Sequence, residues 1–131
     1  MTGKLMEVLT GLGAVSGSVH RTQEDQLILI EQVGLPDAIL QSIGRIPKGK
    51  GMAGQAWLTG RPTTTCDLKH DRSAPIEKGA RQVDAQAAIA IPVKDQRGQV
   101  RAVVGFAFPN QFTFDSERIA ACTRVAEALL S

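Results

Sequence analysis

The chain has little of what usually announces a protein's chemistry. Cysteine occurs twice, Trp once and Tyr not at all, and aromatic residues are 4% of its 131 positions. Cys66 and Cys122 lie far apart, with no C-x-x-C and no His at zinc-ligand spacing, so neither a metal site nor a disulfide framework is expected. That cysteine usage agrees with a reducing compartment. No apolar run approaches the roughly 20 residues a membrane-spanning helix needs. The opening Met1-Thr2-Gly3-Lys4-Leu5-Met6-Glu7 carries an acid early and lacks the continuous apolar stretch of a secretion signal. The expectation is a cytoplasmic protein that does not engage a membrane. Charge of one sign is also missing: 15 Lys plus Arg against 13 Asp plus Glu leave +2, which argues against a nucleic-acid partner. There is no low-complexity block and no fixed-period repeat.

What is present suits one compact domain over residues 1–131. With 43% hydrophobic residues the chain can bury roughly two-thirds of its unfolded surface without staples. Leu5, Val8, Leu9 and Leu12 form one apolar stripe, predicting a helix over 1–13 that ends near Gly11 or Gly13. Ile119, Cys122, Ala126 and Leu129 repeat that spacing over 113–131, with Thr113 or Asp115 as the cap.

Between the helices the period becomes two. Strands are expected over Val15–Arg21, Leu27–Ile30, Ser42–Ile46 and Thr63–Cys66, with a helix over Gly51–Gly60. His20, on the first of these strands beside Arg21, is expected to be exposed. The two clearest strands follow. Ile89, Ile91 and Val93 alternate with Ala88 and Ala90. After a Gly-containing hairpin loop, Val104, Phe106 and Phe108 alternate with Val103, Gly105 and Ala107. Each strand thus has a bulky face and a small face. The pattern reads as α+β, an antiparallel sheet with helices on its faces. Asp67–Gln86 is a long, charged excursion with Pro75 and Gly79 as breakers, the kind of segment that is usually functional or mobile.

Few residues suggest catalysis. Gly49, Gly51 and Gly54 satisfy G-x-G-x-x-G, but the strand before them is very short, Pro47 and Lys48 intervene, and no parallel strand returns the chain. A tight turn that aims a helix N-terminus at a cavity is the better reading, with Lys48 and Lys50 available to an anion. There is no G-x-S-x-G, no H-E-x-x-H and no framed pair of carboxylates. Cys66 follows a polar run where a thiol reaches solvent and is the candidate redox residue, with His70 near it. Cys122, inside an apolar stripe, reads as packing.

The ordered set of segments resembles the GAF domain family. Arg45 to Pro62 is similar to that family's strand, glycine turn, helix and T-G-x-P passage. Ala90-Ile91-Pro92-Val93, Gly98 and Val104-Gly105-Phe106 are similar to its terminal hairpin, and Phe112-Thr113-Phe114-Asp115 to the entry of its last helix. The resemblance spans about residues 5–130. It implies an antiparallel sheet of about six strands, terminal helices on one face, and a small-molecule pocket under a long loop on the other. The implied function is sensory or regulatory, with occupancy relayed through the terminal helices. The family's ligands are chemically diverse, so ligand and cofactor stay open.

The resulting candidate ligand contacts are Arg45, Trp57, Asp67, His70 and Arg81 as polar or stacking groups. Ile89, Ile91 and Phe106 are apolar walls if the bulky strand face lines the pocket, and core if it does not. The expected assembly is a homodimer through the terminal helices, because the last helix is not followed by an output domain. Two alternatives remain: a thiol-dependent reductase resembling free methionine-(R)-sulfoxide reductase, centred on Cys66, and a ligand-free dimerisation module. The reductase pattern places a Cys in the glycine turn, where this chain has Met52 and Ala53.

Overall fold

In the computed structural model, which describes residues 2–65, 87–109 and 114–130, the elements run α1 (Thr2–Leu12), β1 (Ser16–Gln23), β2 (Gln26–Val33), α2 (Asp37–Ile43), β3 (Arg45–Pro47), α3 (Gly51–Thr59), β4 (Thr63–Thr65), β5 (Ala87–Lys94), β6 (Val100–Phe108) and α4 (Ser116–Leu129). They build a six-stranded sheet in the order β3-β2-β1-β6-β5-β4, and every ladder is antiparallel.

Alternation along the central strands decides what covers each face. Val19, Ile89, Ile91, Val93, Val104, Phe106 and Phe108 point to one side, where they meet Leu5 and Leu9 of α1 and Cys122, Ala126 and Leu129 of α4. This is the main core. Lys4 reinforces the helix pair by donating from Nζ to the Ala128 carbonyl at 3.0 Å. At α4 the cap is Asp115, whose carboxylate accepts from the Arg118 N–H at 2.8 Å.

The small face is covered differently. α3 seats Ala56 against Leu27, Ala90 and Val103. It can come close because of the glycine turn that precedes it. The Gly49 N–H bonds the Gly54 carbonyl at 3.0 Å, and a Cβ on Gly54 would lie 2.8 Å from the Pro47 carbonyl oxygen. Gly51 holds φ +69°, a region that disfavours side chains with a Cβ. The three glycines therefore fold the chain back tightly on itself within an antiparallel sheet, not within a parallel βαβ unit.

One expected element differs. Ser42–Ile46 is not a strand: residues Asp37–Ile43 form α2, and the strand is confined to Arg45–Pro47. Pro36 sets the extended entry to this helix, and Ile39 is its single buried residue, so the apolar period is too short to read. The expected excursion over Asp67–Gln86 and the residue Cys66 lie outside the described residues.

Gly54→Ala puts a methyl group against backbone atoms that cannot rotate away. It should cost about 1–3 kcal/mol, seen as a lower urea midpoint with an unchanged m-value.

Candidate functional site

A cavity of about 390 Å³ opens on the small face, between the sheet and the α2–β3–α3 passage. Its floor comes from alternate positions of the central strands: Ser16, Ser18 and His20 of β1, Ala88 and Ala90 of β5, and Gly105 and Ala107 of β6. Leu35, Ile39, Ile43 and Met52 supply apolar walls, and Arg45 and Lys50, both exposed, stand at the rim. The cavity exists because the floor residues are small. At its centre, a Cβ on Gly105 would sit 3.0 Å from Ser18 Oγ, and one on Gly17, on the opposite side, would sit 2.8 Å from Leu9 Cδ2.

His20 is the main departure from the sequence reading. It is 2% exposed, not surface-facing. A bulge shifts the β1–β2 register at Val19/His20, so that Val19 pairs with Glu31 and His20 with Leu29. Its Nε2 lies 2.8 Å from the Ile43 carbonyl oxygen. A carbonyl only accepts, so Nε2 carries the proton and donates it, and in the neutral ring Nδ1 is left as an acceptor. Among the described residues Nδ1 has no hydrogen-bond partner, and neither has the Oγ of the equally buried Ser16. Burial lowers the His20 pKa, and the bond to the Ile43 carbonyl opposes this only in part. The same bond serves one of the carbonyls that the end of α2 leaves open.

The expected site residues separate into three groups. Arg45 is at the cavity rim, with Nη1 donating to Gln26 Oε1 at 3.3 Å. Trp57 is not brought to the cavity. It packs beside Leu27, Ala56, Ala90 and Val103 and faces a separate, more polar cleft, with Lys48 Nζ 5.0 Å from its ring centroid. Ile89, Ile91 and Phe106 belong to the core under α1 and α4, the second of the two placements open to them, and the cavity lies on the small face. Ile89 and Phe106 still edge the cavity, and Ile91 does not. Cys66, Asp67, His70 and Arg81 fall outside the described residues.

The sequence reading missed His20, Ser16 and Ser18. A signal was available: polar residues at every second position of β1, opposite Gly17 and Val19, mark a face that is lined rather than packed. Cys122 is buried in the core, and desolvation pushes its thiol pKa up despite the nearby Arg118, as befits packing. Among the described residues no cluster of His, Cys, Asp or Glu could hold a metal, and no helix is long and apolar enough to cross a membrane.

Comparison with known proteins agrees with this architecture. The family profile GAF_2, described as a GAF domain, matches residues 1–129. The Zymomonas mobilis protein ZMO0507 is 31% identical over 85 residues, 65% of this chain and 50% of that protein, so the chain spans about half the length of this curated relative. Among solved structures, free methionine-R-sulfoxide reductase from Neisseria meningitidis in complex with its substrate aligns at TM-score 0.78 and 19% identity, covering 98% of this chain and 72% of that one. The type II free methionine-R-sulfoxide reductase from Thermoplasma acidophilum aligns at 0.78 and 18% identity, covering 98% and 86%. The A. aeolicus nlh2 GAF domain in an inactive state aligns at 0.72 and 20% identity, covering 99% and 77%. Identities this low establish a shared fold and nothing further about chemistry.

The buried histidine has a measurable consequence. In the unfolded chain His20 titrates near 6.5, whereas in the fold its pKa is lower. The unfolded state therefore binds the extra proton first as the pH falls. The stability linked to His20 is complete above that value and declines below it, until the pH has passed the lower folded-state pKa. Urea unfolding followed from pH 8 to pH 5 should show this slope, and His20→Gln should flatten it.

Proposed function

Because the chain belongs to the GAF domain family, we propose that it is a sensory or regulatory domain that reversibly binds a small molecule in the cavity between its sheet and α2–α3. The observation that carries this reading is the cavity itself. At about 390 Å³ it lies within the range of small-ligand sites, with apolar walls and a few converging polar groups. A ligand there would shift the domain between states only as far as it favours one of them, so the response is read as a change in population.

The proposed output runs through the terminal helices to a second copy of the chain. α1 and α4 lie together on the face opposite the cavity, and α1 leaves Met6 53% exposed beside the fully buried Leu5. The thiol-reductase reading rests on the fold shared with the two reductases and on Cys66. It is the less supported of the two, since Cys122 is core and the glycine turn holds no Cys. Cys66→Ser separates them: a binding domain keeps its ligand affinity, whereas a thiol enzyme loses turnover.

Native mass spectrometry of the purified protein, paired with a denaturing spectrum, should reveal a noncovalent mass that Ala107→Leu removes by filling the cavity floor without unfolding the chain. A bare wild-type mass, together with no melting shift across a metabolite panel, would count against binding. Light scattering at tens of micromolar should give the mass of a dimer, and a monomer there would remove the dimer proposal.

A further inference from the structure

The polar atoms around the cavity are sorted by charge and by hydrogen-bonding sense. Its mouth carries Arg45 and Lys50, and no described lining residue is an acid. Arg45 has a neutral amide, Gln26, as its side-chain partner and keeps most of its donors for something else. At the floor the sense is reversed: His20 already spends its single N–H on the Ile43 carbonyl, which leaves the buried Nδ1 able only to accept. Beside these stand Leu35, Ile39, Ile43 and Met52, apolar and uncharged.

We propose that the ligand of this cavity is a small organic acid with a short apolar chain and a hydroxyl or N–H donor, its carboxylate held by Arg45 and Lys50 and its donor paired with Nδ1 of His20. The proposal rests on the cavity being the ligand site. Each half follows from what a buried group lacks. An anion gains charge-assisted hydrogen bonds from a guanidinium and an ammonium that face no carboxylate among the described lining residues. A donor relieves a buried acceptor whose lack of a partner is costly. A cationic ligand gains nothing at the mouth, and one that offers only an acceptor gains nothing at Nδ1. Nδ1 and Ser16 Oγ are shielded from solvent, so the donor reaches Nδ1 only through a local opening of the cavity floor that leaves the Nε2 bond to Ile43 in place.

Three probes of matched shape test this: leucate, the hydroxy analogue of leucine; isocaproate, which lacks the hydroxyl; and isohexanol, which lacks the charge. Binding is followed by amide chemical shifts of Ser18, Ala88 and Ala107, with the His20 ring nitrogens observed in the same samples. Leucate should bind roughly fivefold tighter than isocaproate, about the worth of one net hydrogen bond, and isocaproate roughly tenfold tighter than isohexanol. Leucate should also move the Nδ1 resonance upfield, as for a nitrogen that has gained a hydrogen bond. Arg45→Gln with Lys50→Gln should erase the preference for the acid over the alcohol. Isohexanol binding as well as the acids would overturn the assignment of class and leave the cavity as a ligand site. Leucate binding no better than isocaproate, with Nδ1 unmoved, would overturn the role of His20. If no probe perturbs the cavity amides at millimolar concentration, the class inference falls. A bare native mass would then extend the failure to the ligand-site reading itself.

Discussion

The structure depends on an inequality of side-chain size across one sheet. Strands that place Ile, Val and Phe on one face and Ala, Gly and Ser on the other cannot be covered the same way on both sides. The bulky face packs beneath α1 and α4 as the main core. The small face lets the α3 backbone descend onto Ala90 and Val103, but it cannot fill the ground between β1 and α2. Packing at one end of a face and a cavity at the other thus have the same origin.

Much of this was legible in the residues. The period of two in β5 and β6, the stripes of the terminal helices and the glycine turn before α3 each have a strong local signal, and all three are where they were expected. The resemblance to GAF domains drew on the same segments, and the family assignment agrees with it. What the pattern did not carry was which face a ligand would meet. Alternation separates bulky from small positions without saying which side the helices will take. That choice depends on α1 and α4 being long enough and apolar enough to claim the bulky face for themselves.

The reading failed where local signals are weakest. α2 is seven residues long with one buried side chain, so it shows no helical period, and its last residues pass for a strand. His20 looked like a surface residue because its immediate neighbour Arg21 is exposed. Its burial is decided far along the chain, by the carbonyl of Ile43 and by the bulge in the β1–β2 ladder. Trp57 was drawn toward the pocket by its chemistry, whereas the pitch of α3 sends it to another cleft. Stacking ability says little about where a ring points.

Gly17 and Gly105 give the sheet a property of a different kind. They occupy adjacent central strands and thin the layer at its middle, one on each surface: Leu9 rests where the side chain of residue 17 would be, and Ser18 where that of residue 105 would be. Between the cavity floor and the terminal helices there is, at that spot, a single thickness of peptide. Ser18 on the cavity side and Leu9 of α1 on the other therefore meet the same stretch of β1 from opposite faces.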